Sequence, residues 1–327
     1  VTNINNSFYL NGLDQLMRIF NMAGLNIKLG SIDPAIEKTQ HFTLQNGRQL
    51  TIEPVQRTKH RLLLKDFDPC TILLNHDLSH GIPGILEDLH EQYLLPPLHA
   101  SWALRRRNKH YEAYDELSKR LAKLLNIDPW LINPLYSFCG ELDLSKNADC
   151  DALEGHVDAL LQKIRRKYRE YSIDEKPFIV VKANQGPEAR GFLTLRDTKD
   201  LKNLHLIPNS NQATPFKGEL ILQEGIRTHE RINDVVAEPV VHMIDRYVVG
   251  GYYRVHAQLR DDEGLAAPGS HFVPLAFAPQ AHLPRLGEAP GEHSPNRFYM
   301  YGVIARLAML AGSYELEDSD PQGEDFE

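Results

Sequence analysis

The sequence predicts a mixed α+β or α/β protein, and three observations lead there. Stretches with helical periodicity alternate with short apolar runs, and strand pairs joined by tight turns recur after residue 178. No G-x-G-x-x-G opens a helix after a strand. The last two argue against a pure dinucleotide-binding parallel sheet. At 327 residues the chain is long enough for two or three domains. The expected division is an N-terminal α/β domain over 1–172, a second domain over 173–316, and an acidic, unstructured tail over 317–327.

The first helix is expected over "FYLNGLDQLMRIFNMAG", which keeps apolar residues at helical spacing and ends on Gly24, a fitting C-cap. "LNIKLGS" and "HFTLQNGRQLTIEPV" alternate, and Asn46-Gly47 between alternating runs is a hairpin signal. "CTILLNHDLS" reads as a buried strand, and "SHGIPGILEDLHEQY" as the start of a helix. Residues 97–127 and 151–171 read as amphipathic helices. The stretch between them, "NIDPWLINPLYSFCGELDL", carries two prolines and reads as a loop.

"FIVVKANQGPEARGFLTL" then reads as strand, lysine, glycine loop and strand. A polar connector leads to the strand "ELILQEGI". "DVVAEPVVHMIDRYVVGGYYRVHAQL" reads as two strands around an Asp245-Arg246 turn, with Gly250-Gly251 as a bulge or close-approach point. Residues 260–295 read as loop, and "NRFYMYGVIARLAMLAGSYELE" as a helix.

Composition narrows the function classes. No apolar run approaches the roughly 18–20 residues of a membrane span, and the first residues lack the basic region of a signal peptide. The cysteines at 70, 139 and 150 have no CxxC spacing, which argues against a disulfide framework or a Cys-rich zinc site and fits a reducing cytoplasm. The net charge of −8 is concentrated in "ELEDSDPQGEDFE", whose seven acids leave the other 314 residues at about −1. Arg105-Arg106-Arg107 and the run Lys163–Arg169 read as solvated helix faces. Neither shows the aromatic interleaving of a nucleic-acid surface.

Three places could carry chemistry. Lys182 ends an apolar strand before a loop with Gly186 and Gly191, a geometry that aims an ammonium at phosphate; an edge lysine packing its stem is the plainer reading. Gln223, Glu224 and Ile226 lie where a strand ends, and backbone groups there could meet an adenine edge, with Glu224 near its amino group. Arg254, on a strand beside two glycines, could bind a transferring phosphoryl group or make a cross-strand salt bridge.

Order and spacing carry more weight than any one of these. Lysine strand, glycine loop, hinge strand and arginine strand in succession resemble the ATP-grasp fold. "LLNHDLSHGIPGIL", "PPLHASWALRRRNKHYEAYDEL", "DPWLINPLYSFCGELD", "VVAEPVVHMIDRYVVGGYYRVH" and "PNRFYMYGVIARLAMLA" together resemble the proteobacterial glutamate–cysteine ligases, from about Gly30 to about Leu316. The resemblance implies an ATP-grasp-like C-terminal half and an N-terminal substrate domain. It also implies ATP- and Mg²⁺-dependent joining of glutamate to cysteine through an acyl phosphate, the first step of glutathione synthesis, in the cytoplasm.

Residue by residue, it implies Lys182 and Arg254 at the phosphates as catalytic groups, with Gly186 and Gly191 in the ATP loop. Gln223, Glu224 and Ile226 would lie at the adenine hinge, and Glu238 at a ribose or active-site contact. Asn75, Asp77 and Ser79 suit an amino-acid ammonium and carboxylate, or equally serve as turn and cap residues. The metal ligands stay unassigned: Glu315, Glu317 and Asp318 read as tail, and His76 and His80 lack a third ligand. Typical members read Lys-Ala-Asp-Ala-Gly-Thr-Tyr-Gly-Met-Gly where this chain reads Lys182 to Gly191 as "KANQGPEARG". That departure keeps two alternatives open: a catalytically impaired ligand-binding or regulatory member, and a ligase for another carboxylate–amine pair.

Overall fold

The computed structural model describes residues 6–75, 78–79, 81–89, 91–186, 193–201, 216–255, 271–274 and 297–321. The chain forms two compact units, residues 1–105 and residues 106–327.

In the first unit, helix α1 spans Ser7–Met22. The Asn6 side chain accepts from the N–H groups of Phe8 and Tyr9 at its start, and Gly24, at φ +78°, closes its end. Strands β1 (Leu29–Ser31), β2 (Gln40–Thr43) and β3 (Gln49–Pro54) form a sheet in the order β1-β3-β2, with β1 and β3 parallel. The Asn46-Gly47 hairpin forms as expected, Gly47 taking φ +78°. Leu10 and Leu13 of α1 pack on Leu29, Leu44, Leu50 and Ile52, and Arg48 pairs at 3.0 Å with the buried Asp14.

Two short pairs follow: antiparallel β4 (Gln56–Arg57) with β5 (Leu62–Leu63), and parallel β6 (Thr71–Leu73) with β7 (Tyr93–Leu95). The buried strand expected over "CTILLNHDLS" is corrected: β6 is only three residues long, with both ends exposed. The helix expected from Ser79 is a single 3₁₀ turn, Gly84–Leu86. Pro83 disfavours helical backbone in the residue before it, and the left-handed Gly81 and Asp88 bracket the turn.

The second unit opens with α2 (Arg107–Leu125), which starts ten residues later than the periodicity predicts and ends on left-handed Asn126. The expected loop after it contains strand β8 (Tyr136–Asp143); its two prolines, 129 and 134, both precede the strand. Helix α3 (Asn147–Glu170) leads to β9 (Ile179–Ala183), β10 (Leu193–Leu195) and β11 (Lys217–Glu224). These form an antiparallel sheet in the order β10-β9-β11-β8. Leu153, Val157, Leu160, Leu161 and Ile164 of α3 pack on Ile179, Val181, Leu195, Leu220 and Leu222. Each such side chain, fully buried, contributes about 1.5–3 kcal/mol. Strand β8 and helix α3, placed before residue 172 in the sequence-based division, therefore pack with the strands that follow it.

A second sheet joins β12 (Arg231–Ile232), β13 (Val235–Ile244), β14 (Tyr247–Val255) and β15 (His271–Pro274) in that order. The Asp245-Arg246 turn joins β13 to β14 as expected, Asp245 taking φ +50°, and the register shift falls between His242 and Met243, opposite the glycines. Strand β15 lies in the stretch read as loop. Helix α4 (Arg297–Asp318) packs on α2 through Leu307, Ala308 and Ala311, and its last residues reach into the expected acidic tail.

Two glycines separate packing from propensity. A Cβ on Gly225, just after β11, would lie 2.0 Å from the Phe178 ring, whereas one on Gly155 of α3 would meet open space. Gly225→Ala is expected to destabilise the chain by at least about 2 kcal/mol, and Gly155→Ala to stabilise it by roughly 0.5–1 kcal/mol. Urea unfolding of the two variants checks both signs.

Candidate functional site

The first sheet of the second unit has two chemically different faces. Alternation puts Ile179, Val181, Leu220 and Leu222 against α3, so Val180, Lys182, Ile221 and Gln223 lie on the opposite face. Lys182 pairs in register with Ile221 and is half-buried. Tyr111 of α2 donates its hydroxyl to Gln223 at 2.5 Å, and its ring lies 5.0 Å from that of Tyr136, Gln223's register partner. Burial pushes the Tyr136 phenol up to about 12, the carboxylates of Asp115 and Glu112 adding to it.

Residues 183–186, which follow Lys182, are tied to the start of α2. The side chain of the N-terminal flanking residue, Arg106, makes no capping bond, so the first helical N–H groups need acceptors from elsewhere. Asn184, fully buried, supplies them: its carbonyl accepts from Arg107 N–H and its Oδ1 from Asn108 N–H, both at 2.8 Å. Its Nδ2 donates to Asn108 Oδ1 at 2.8 Å and to Glu219 Oε2 at 2.9 Å. Arg107 donates to the carbonyls of Ala183 (2.6 Å) and Gly186 (2.8 Å), and Arg106 forms an ion pair with Glu219. Gly186 sits at φ +92°, a conformation that favours glycine. Gly191 lies outside the described residues.

At the far end of β11 a cavity of about 690 Å³ opens, lined among others by His110, Tyr111, Tyr114, Trp130, Glu224, Gly225, Ile226, Arg227, Ile304 and Ala308. Glu224 is 4% exposed, and its Oε2 accepts from Trp130 Nε1–H and Leu135 N–H, both at 2.9 Å. That carboxylate joins the hinge strand to the 130–135 turn, and burial raises its proton affinity above the ordinary carboxylate range. Asp128 starts the turn: it accepts from Trp130 N–H, Lys167 and Tyr171, and Lys167 holds its carboxyl below the usual range. Ile226 is 63% exposed at the cavity wall. Tyr114 donates to Ile132 O at 2.9 Å, and burial pushes its phenol up to about 12.

The remaining predicted residues lie elsewhere. Glu238 and Arg254 face each other in register across β13 and β14, as an ion pair at 3.7 Å. Asn75 and Ser79 belong to the first unit, where Asn75 Nδ2 donates to Tyr9 Oη at 3.4 Å. Asp77, like His76 and His80, lies outside the described residues. Glu315, Glu317 and Asp318, read as tail, belong to α4, and Glu315 is buried 3.4 Å from His110 Nδ1. Among the described residues no three His, Cys, Asp or Glu side chains come together to hold a metal.

The arginines 106 and 107, read as solvated, were the main omission. Basic residues at a helix start oppose the helix dipole, and that placement signals a separate role. With the helix predicted from residue 97, they fell in its interior and the signal was lost.

A sequence model of glutamate-cysteine ligase matches residues 2–316. The chain belongs to the glutamate-cysteine ligase family. The crystal structure of a provisionally assigned γ-glutamylcysteine synthetase from Methylobacillus flagellatus KT matches with a TM-score of 0.83 and 43% identity. The match covers 97% of this chain and 75% of that one. No curated protein matches. The joint between residues 183–186 and α2 and the cavity at the end of β11 both lie beside the predicted nucleotide residues.

The raised Glu224 carboxyl has a pH consequence. Over the window between its unfolded and folded values, the folded chain keeps a proton that the unfolded chain has released. Its contribution to stability is full below the ordinary carboxylate value and is lost as pH rises through the folded value. Glu224→Gln keeps an oxygen acceptor and is expected to remove that loss. Glu224→Ala strands two donors and should cost roughly 2–6 kcal/mol, at about 1–3 kcal/mol each. Urea unfolding followed by tryptophan fluorescence from about pH 4 to about pH 8 checks both; an unchanged pH slope in Glu224→Gln contradicts the assignment.

Proposed function

We propose that the chain joins the side-chain carboxylate of L-glutamate to the amine of L-cysteine with ATP, giving γ-glutamylcysteine in the first step of glutathione synthesis. The observation that carries this reading is the family match over residues 2–316. We read the second unit as ATP-grasp-like, with ATP on the sheet face that bears Lys182.

A carboxylate is a poor electrophile because its oxygen is a poor leaving group. Transfer of the γ-phosphoryl group from ATP to a glutamate oxygen releases ADP and leaves an acyl phosphate. The cysteine amine then attacks the carbonyl carbon, loses a proton, and expels inorganic phosphate. The protein's part is to align the groups and neutralise charge as it shifts between oxygens. Lys182 fits the phosphate role: its strand leads into a glycine-bearing segment, and its face is not filled by α3. Arg254 supplies a planar fork suited to phosphoryl oxygens, held by Glu238 in the resting chain. The Gly225–Ile226 backbone beside aromatic walls suits the adenine.

Mg²⁺ is expected to accompany ATP, and no set of protein ligands is assigned to it. In the first unit, Asn75, Asp77 and Ser79 remain our assignment for the amino-acid substrate. The three cysteines form no disulfide, which supports a reducing compartment such as the cytoplasm. Among the described residues no helix is long and apolar enough to cross a membrane.

Incubation with ATP, Mg²⁺, glutamate and cysteine is expected to release ADP in step with γ-glutamylcysteine. Lys182→Ala and Arg254→Ala should each lower kcat by about 100-fold or more, the usual effect of removing one charge-stabilising donor. ADP release that depends on a different amino-acid pair would move the assignment to another ligase. Nucleotide binding without turnover would favour a binding protein.

A further inference from the structure

We propose that Arg107 is a positioning residue for nucleotide binding, acting through the main chain of residues 183–186. The proposal rests on the reading of Lys182 and the following segment as the phosphate-binding element. A segment that must hold a triphosphate needs a defined path where it leaves the strand, and the last ladder bond to β11 is Asn184 N–H on Glu219 O at 2.9 Å. The start of α2 holds the same residues from the other side and reaches further, to Gly186. Arg107 spans the turn, one guanidinium nitrogen on Ala183 O and another on Gly186 O, at 2.6 and 2.8 Å. The Arg107 main-chain N–H donates to Asn184 O at 2.8 Å. Arg106 forms an isolated β-bridge with Gln185. Three consecutive residues after Lys182, and Gly186 beyond them, are thus each tied to one helix end, Asn184 being held by Glu219 of β11 as well.

The charge arrangement matches the purpose. Asn184 fills both of its amide roles on Asn108 and Glu219, and Glu219 answers the Arg106 charge. The first two N–H groups of α2 are consumed by residue 184, so this helix start is a joint and not an anion site. Two carbonyls about three residues apart suit a planar fork, and a lysine ammonium cannot reproduce that spacing with fixed geometry. Arg107→Lys is therefore the informative conservative change.

The experiment uses the full chain with Arg107→Ala, Arg107→Lys, and Arg120→Ala as a control on the exposed side of α2. It measures ATP affinity by calorimetry, amide exchange of a peptide covering residues 183–186, and thermal unfolding. Both Arg107 variants are expected to weaken ATP binding at least tenfold and to speed exchange of that peptide at least tenfold, with α2 peptides still protected. Arg120→Ala should change neither. Unchanged exchange and affinity in Arg107→Ala would overturn the proposal. So would an affinity loss matched by loss of protection throughout α2, in Arg107→Lys as well as Arg107→Ala, because that is general destabilisation. If the wild-type chain binds no ATP while exchange still rises in the variants, the phosphate reading of Lys182 fails and with it the nucleotide role of Arg107.

Discussion

The two hydrogen bonds that residue 184 accepts from Arg107 and Asn108 join α2 to the segment that follows Lys182. They end α2 on one side and define the exit from β9 on the other. A helix whose own flanking residue cannot cap it requires outside acceptors, and a strand leading into a glycine-bearing segment requires a fixed departure point. One buried asparagine meets both needs. Tyr111, Tyr114 and His110 are set by the same helix, so the wall of the cavity beside Gly225 and Ile226 is registered to the segment after Lys182.

Glu224 plays the corresponding part at the other end of the sheet. Its buried carboxylate binds Trp130 and Leu135 and so ties the hinge strand to the aromatic turn. Phe178 leaves room for no side chain at residue 225 and thereby brings the backbone there close to β9. The region given to nucleotide is thus framed by α2 at the lysine end and by the 130–135 turn at the hinge end, on a sheet whose reverse face is sealed by α3. Lys182 and Gln223 share their face with Val180 and Ile221, whereas only apolar side chains of β9 and β11 meet α3.

Much of this architecture was legible as pattern. The Asn46-Gly47 hairpin, the alternation of β13 and β14 and the run into Lys182 are local signals, and the chain forms them where the pattern places them. Strand β8 was hidden because two prolines, 129 and 134, lie just before it and its pairing partner, β11, lies about eighty residues later. The helix from Ser79 failed because Pro83 and two left-handed residues outweigh an apolar spacing. At the candidate site, Lys182 stands out by its position at the end of an apolar strand, and a cross-strand salt bridge is one of two readings of Arg254, its partner Glu238 emerging only from the strand register. The roles of Arg106, Arg107 and Asn184 depend on a contact between segments more than seventy residues apart, and periodicity within either segment does not encode it.

Family membership points to the reaction class, and our proposal assigns it to the sheet face that bears Lys182. The most direct test is a crystal structure of the full chain with a non-hydrolysable ATP analogue and Mg²⁺. The account predicts phosphates within hydrogen-bond reach of Lys182 Nζ, the adenine edge on the backbone of Gly225–Ile226, and the Asn184 bonds to α2 unchanged. An analogue bound away from that face, with Lys182 Nζ turned from its phosphates, would contradict it.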